Sequence, residues 1–424
     1  MKEMKAFEKI IGYEDVKAEL YRICDLMKNP DKYRRLGVAT PRGLLLSGDP
    51  GVGKTMMAKA VIAESGRKDI TVRKDKPNGD FVNLIRDTFE KAKKNVPSIV
   101  FLDDMDKFAN EDTEHRDAEE YVTVQACIDE CKDFEVFVIA TVNCKYNLPD
   151  SLLRAGRFDK CIEVLPPEGE DAVKIIDYYL RQKKCLGDID ARVIAKLMSG
   201  NSCAELETVI NEAGIYAAYA DREFIEQEDI IKACMRLMFD APESCEGLTD
   251  EVAEALAVHE AGHITVAEIL DPGSVNLVSI CRHSGGSEGI TSVSKPAGYL
   301  FSKELMEHEV IRLLAGKAAT EIILGVTDVG CNSDLNHAFR LVAKFVDDLC
   351  ALGFDSFGFR EESDYMRETR DRRVANELEK YYQEAKRMIV ENRRLFEHFK
   401  KYLLAKKTLT YSDIEMIREH LSAS

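Results

Sequence analysis

The sequence predicts a parallel α/β domain over its first 165 residues, a short helical segment after it, and a mainly α-helical remainder. Three observations lead to that fold class. Apolar strand-like runs at 44–46, 99–102 and 136–142 alternate with helical segments, the pattern of a parallel sheet. Pro166-Pro167 ends the alternation, and 170–240 carries helical periodicity only. After a polar connector at 241–247, helical spacing returns over 251–270, 302–324 and 363–420.

With 424 residues the chain is long enough for two or three domains with sizeable cores. A composition of 45% hydrophobic and 32% charged residues is ordinary for a globular protein. The net charge of −17 (59 basic against 76 acidic residues) argues against nucleic-acid binding. No run approaches the roughly 18 apolar residues of a membrane span, and the opening Met1-Lys-Glu-Met-Lys-Ala-Phe7 lacks the apolar core of a signal peptide. The twelve cysteines are scattered without a Cys-x-x-Cys pair, so reduced thiols and a cytoplasmic location are expected.

In chain order, 7–36 is helical in pattern, and Pro41-Arg42-Gly43 leads into the first strand, 44–46. The next residues, Gly48-Asp49-Pro50-Gly51-Val52-Gly53-Lys54-Thr55, match G-x-x-x-x-G-K-[ST]. Such a loop wraps phosphate oxygens with backbone N–H groups at the positive end of the following helix, here 55–64. Lys54 then reaches the β- and γ-phosphates of ATP, and the Thr55 hydroxyl ligates Mg²⁺. The strand at 99–102 ends in Asp103 and Asp104, the first suited to hold Mg²⁺ through water and the second to orient the attacking water. The strand at 136–142 ends at Asn143, within reach of the γ-phosphate. Nucleotide at the carboxyl ends of the strands is where an open parallel sheet takes its ligand.

The helical stripe of 251–270 includes His259-Glu260-Ala261-Gly262-His263. Four residues apart on a helix, His259 and His263 project from one face and can hold one metal ion. Glu260 beside them can take a proton from water bound to that metal; zinc lowers that water's pKa to about 7. A catalytic zinc needs a third protein ligand, and the downstream candidates are His283, Glu288, Asp328, Asp334 and His337. Strand-like segments at 275–281 and 289–293 could flank the cleft, where an edge strand could pair with an extended peptide.

Taken together, the nucleotide motifs resemble those of the AAA+ ATPases, and Leu152-Leu-Arg154-Ala-Gly-Arg157-Phe-Asp159 resembles their second region of homology. By that resemblance Arg154 and Arg157 are arginine fingers acting on a neighbouring subunit, Asn143 is the sensor, and 201–214 belongs to a small helical lid. A P-loop ATPase, a lid and then H-E-A-G-H resembles the FtsH family of ATP-dependent zinc metalloproteases over nearly the whole chain. The implied architecture is an α/β P-loop AAA+ module with a small helical lid, followed by a mainly α-helical zinc metallopeptidase domain. Its boundaries fall at 1–165, 166–243 and 244–424. The resemblance also selects Asp334, in Gly330-Cys-Asn-Ser-Asp334, as the third zinc ligand. It implies Zn²⁺, ATP and Mg²⁺ as cofactors, a homo-hexameric ring, and polypeptide substrates.

Three features depart from the family. Its members are usually tethered by membrane spans ahead of the ATPase and none is present in this sequence, so a soluble member is expected, with a removed N-terminal anchor as the alternative. Asp104 stands where the family has glutamate, one methylene longer, so ATP binding is expected to survive with slowed hydrolysis; a misplacement of about 1 Å can cost on the order of 10²-fold in rate. The segment 71–86 lacks the aromatic-hydrophobic-Gly pore loop, leaving Phe81-Val82 either as a substitute grip or as the start of the next helix. The last two departures motivate a second reading, a nucleotide-gated remodelling ATPase with weak hydrolysis and minor or partner-gated peptidase activity.

Overall fold

The structure is a computed structural model describing residues 5–38, 40–74, 78–109, 118–154, 156–240, 248–282, 288–294, 302–326, 330–349, 353 and 364–422. It divides into two compact units, Met1–Lys184 with Gly200–Asn211, and Cys185–Ser199 with Glu212–Ser424. The stretch expected as the lid, 166–243, is shared between the two.

In the first unit the expected helix over 7–36 is two helices, α1 (Glu14–Lys28) and α2 (Pro30–Arg34). Gly12 and Tyr13 ahead of α1 have φ of 66° and 56°, outside the right-handed helical region, and Pro30 opens a new helix at the position where its missing N–H costs least. The order continues β1 (Gly43–Ser47), α3 (Lys54–Ser65), β2 (Lys68–Val72), α4 (Asn78–Lys94), β3 (Ser98–Leu102), α5 (Ala118–Glu130), β4 (Val136–Val142), β5 (Lys160–Glu163) and α6 (Gly169–Leu180). The strands form one sheet in the order β2-β3-β4-β1-β5, every neighbouring pair parallel. β1, β3 and β4 are buried at every position, which is why they read as unbroken apolar runs. β2 has no such signature: Lys-Asp-Ile-Thr-Val lies on the sheet edge with little of it buried. The sheet brings Asp103, Asn143 and the loop after Ser47 to one edge, at the carboxyl ends of β3, β4 and β1.

Phe81 and Val82 lie inside α4 and are buried, with the Phe81 ring edge-on to Phe108 at 5.0 Å between centroids. The helix reading of that segment therefore holds, and Phe81 is part of the core.

α7 (Ala191–Leu197) belongs to the second unit, and α8 (Cys203–Tyr219) runs across the division between the units. The second unit continues with α9 (Gln227–Phe239), α10 (Asp250–Leu270), β6 (Val275–Arg282), β7 (Glu288–Val293), α11 (Lys303–Leu324), α12 (Asn332–Asp347), α13 (Asp364–Glu391), α14 (Arg393–Lys406), β8 (Thr408–Thr410) and α15 (Tyr411–Ser422). Among the described residues, β6 pairs antiparallel with β7 on one side and β8 on the other, which leaves β7 at an edge. β8 interrupts what read as helix over 363–420; Lys407, with φ of 63°, ends α14 and turns the chain into the β-favouring Thr408-Leu409-Thr410. α12 ends at Asp347 and begins two residues before Asp334.

α10 is the centre of this unit. Thr249 caps it by accepting a hydrogen bond from the Val252 N–H, and every residue from Leu256 to Glu268 is buried. It packs against α11, α13, α14, β6 and β7. Among the described residues no helix is long and apolar enough to cross a membrane. One correction concerns the cysteines: Cys281, on β6, is disulfide-bonded, whereas Cys24, Cys127, Cys131 and Cys234 are buried free thiols.

Because Phe81 is a fully buried anchor of α4, Phe81→Ala should destabilise the first unit by about 3–5 kcal/mol, read as a lower unfolding midpoint in urea. A surface grip in that role would leave the midpoint where it is.

Candidate active sites

The first site is built on the carboxyl edge of the parallel sheet. A cavity of about 690 Å³ is walled by Pro50 to Thr55, Asp104 and Asn143 from the expected set. Lys54 Nζ, at the start of α3, donates to the carbonyls of Gly48 (2.6 Å) and Asp49 (2.8 Å) and to Asn143 Oδ1 (3.1 Å). Burial pulls the Lys54 ammonium below its usual pKa, against the opposing pull of Asp106, Asp104, Asp49 and Asp103. A loop that folds its lysine back onto its own carbonyls already has the curvature to surround a phosphate chain.

Asp103 Oδ1 accepts from the hydroxyls of Thr55 (3.0 Å) and Thr141 (2.9 Å), so both residues expected to hold Mg²⁺ face each other. Asp104 has φ of 53° and pairs with Lys107 at 2.7 Å. Asp106 Oδ2 accepts from the Asn143 backbone N–H at 3.0 Å and so anchors the proposed sensor. Neither Arg154 nor Arg157 lines the cavity of its own chain. Arg154 is exposed, whereas Arg157 is held at Asp129 of α5 (2.8 Å) and donates to the Ser151 carbonyl.

Sequence reasoning did not find the rest of this cavity: Ile10, Ile11, Tyr178, Tyr179, Cys203 and Glu207 also line it. They come from three separate stretches with no common motif. The only signals were two doublets, Ile10-Ile11 and Tyr178-Tyr179, which are unremarkable until the fold brings them to the P-loop.

The second site lies on α10. His259 Nε2 and His263 Nε2 are 3.0 Å apart, and Asp334 Oδ2, from the first turn of α12, lies 3.1 Å from His263 Nε2 and 3.4 Å from His259 Nε2. His263 Nδ1 donates to the Arg312 carbonyl at 2.7 Å, which fixes the tautomer and leaves the Nε2 lone pair facing the other donors. Three electron-pair donors this close repel one another unless a cation lies between them. The spacing suits ligands about 2.0–2.2 Å from one ion. The donor set therefore fits a zinc site.

Of the candidate third ligands among the described residues, Asp334 is the one brought to the histidines. His337 instead faces Glu309 at 3.9 Å. His283 and Asp328 lie outside the described residues, as does the side chain of Glu288.

Glu260 is fully enclosed, and burial raises its carboxyl pKa against the opposing pull of His263, His259 and a hydrogen bond from Thr291. That bond runs from Thr291 Oγ1, on β7, to Glu260 Oε2 at 2.5 Å. Two residues earlier on the same strand a Cβ on Gly289 would stand 2.4 Å from Glu260 Oε1, so the strand reaches the acid only because this residue is glycine. For Asp334 burial acts upward but the His263 and His259 imidazoles outweigh it, holding the carboxyl well below the usual range.

α11 supplies the other wall. A Cβ on Gly316 would stand 2.5 Å from both Cε1 and Nε2 of His259 and 2.6 Å from Nε2 of His263. Gly289 and Thr291 lie in the strand-like segment expected to flank the cleft, but neither was singled out from the sequence, and Gly316 was not found at all.

Comparison with known proteins gives a family match over the stretch that carries each site. Residues 44–165 match the ATPase family associated with various cellular activities (AAA), and residues 247–417 match peptidase family M41. The chain is 30% identical to ATP-dependent zinc metalloprotease FtsH 3 of Petrotoga mobilis, over 97% of this chain and 69% of that one. It is 35% identical to ATP-dependent zinc metalloprotease FtsH of Acidothermus cellulolyticus, over 80% of this chain and 53% of the relative. For the FtsH protein of Halothermothrix orenii the figures are 29%, 94% and 68%. This chain thus spans between about half and about two thirds of the length of these relatives. All three are named as proteases, which leaves the remodelling reading without support from them.

Two substitutions test the peptidase geometry. Gly316→Ala should fold yet lose stoichiometric zinc, measured as metal content after dialysis alongside an unchanged far-ultraviolet circular dichroism spectrum. Thr291→Val should keep its zinc and lose about ten- to a hundredfold in kcat on a short peptide, with KM little changed and Thr291→Ser recovering most of the rate.

Proposed function

The chain belongs to the FtsH family of ATP-dependent zinc metalloproteases, and on that premise we propose that it degrades unfolded or loosely folded proteins in an ATP-driven ring. The observation carrying this reading is the convergence of His259, His263 and Asp334 donors within 3.4 Å of one another, with Glu260 next to them, in a chain that also holds a formed P-loop.

In this reading the chain is organised as an ATPase subdomain (1–165), a lid (166–243) and a peptidase domain (244–424). Lys54 and the backbone N–H groups from Gly48 to Gly53 hold the phosphates of ATP, and Thr55 and Asp103 hold Mg²⁺. Asp104 orients the attacking water and Asn143 senses the γ-phosphate. Chains assemble as a homo-hexamer in which Arg154, exposed, reaches the neighbouring nucleotide. Arg157 has to leave Asp129 to act as a second finger. Arginine suits this role as a planar, permanent charge matched to phosphate.

His259, His263 and Asp334 hold zinc in the peptidase domain. Bound there, zinc supplies a water acidified to near-neutral pKa and a Lewis acid for the peptide carbonyl. Glu260, its carboxyl aimed by Thr291 and raised in pKa by burial, takes the proton from the attacking water and returns it to the leaving amine. The edge of β7, unpaired among the described residues, lies beside Glu260 and can take an extended substrate as a further strand.

The test is loss of unfolded casein with ATP, without ATP, and with a zinc chelator. We expect loss only with ATP and without chelator, and none for Glu260→Gln. Casein cleavage by Glu260→Gln at the parent rate would end the assignment.

A further inference from the structure

Both acids at the end of β3 carry a cation from this chain. Asp103, 4% exposed, has Oδ1 satisfied by two hydroxyls and Oδ2 bound by Arg73 Nη2 at 2.5 Å. Asp104 is paired with Lys107, which stands in the wall of the nucleotide cavity. The Arg73 contact follows from the sheet itself. Val72 and Leu102 are register partners, and the Asp103 N–H donates to the Val72 carbonyl at 3.0 Å, so the next residue along β2 emerges beside Asp103.

We propose that Arg73 is an internal stand-in for magnesium, holding Asp103 in the nucleotide-free chain so that magnesium arriving with ATP has to displace it. This rests on reading Asp103 as the magnesium-holding acid. A carboxylate as buried as Asp103 is costly without a counter-charge, and the guanidinium supplies one. Arg73 keeps its way out, because its side chain is 60% exposed while that of Asp103 is 5% exposed. A guanidinium on the carboxylate and a divalent ion held beside it repel, so each weakens the other's hold. The contact makes Arg73 a positioning residue that sets how much magnesium the site requires.

The experiment uses the full chain and a fluorescent ATP analogue at fixed concentration, with magnesium titrated and the half-saturating concentration read from binding. For Arg73→Ala that concentration should fall about two- to fivefold, the range expected when a partly exposed ion pair no longer competes. Arg73→Lys should stay near the parent. Arg73→Gln, which keeps much of the stem, replaces the alanine variant if the latter does not fold. An unchanged or higher requirement in the neutral variants overturns the proposal. A merely structural role for Arg73 would weaken analogue binding at every magnesium concentration.

Asp103→Asn separates the two levels of the argument. If it leaves the magnesium requirement as in the parent, the reading of Asp103 itself fails. If it raises the requirement while Arg73→Ala changes nothing, only the displacement by Arg73 fails.

Discussion

The close approach of α10 and α11 is the contact on which the peptidase unit depends. At Gly262 a Cβ would meet the Ala315 carbonyl oxygen at 2.5 Å and the Ala319 methyl at 2.7 Å, and at Gly316 it would meet both histidine rings. Two helices that touch through glycine and alanine leave room for an imidazole pair between them and for little else. α11 thus does three things: it covers His259 and His263, it offers the Arg312 carbonyl that orients His263, and it leaves Nε2 of both rings facing Asp334. Packing against α11 and the Arg312 carbonyl hold the buried pair in place.

Within that enclosure two carboxyl groups meet opposite fates. Asp334 comes in at the first turn of α12 and faces both imidazoles, so its charged form is favoured despite burial. Glu260, enclosed and touched by β7, is pushed the other way by desolvation. One group suits binding a cation and the other suits taking up a proton. The division of labour follows from what surrounds each carboxyl, since the two side chains differ by one methylene.

The nucleotide unit works on a different principle. Its polar groups sit at the open ends of parallel strands, where neighbouring strand ends lie close together and their side chains satisfy one another. Lys54 rests on loop carbonyls and Asn143, Thr55 and Thr141 rest on Asp103, and Asp106 holds the Asn143 backbone. Arg73 joins this cluster from the edge strand.

Local pattern was enough for much of this protein. The apolar runs of β1, β3 and β4, the P-loop between β1 and α3, the acids after β3 and the i, i+4 histidines of α10 are all set by neighbours a few residues apart, and they were legible as such. β2 and β8 were not, because one is a polar edge strand and the other three residues inside a charged helical stretch. Asp334, the third donor of the candidate metal site, stands 71 residues from His263, and spacing alone left five candidates for it. Gly316 and Thr291 act through neighbours 57 and 31 positions away along the chain, and nothing in their own surroundings marks them. The sequence by itself determined which chemistry the chain carries, because motifs are local. Only the tertiary structure decided which residues aim and enclose that chemistry, because those contacts exist only when distant segments are packed together.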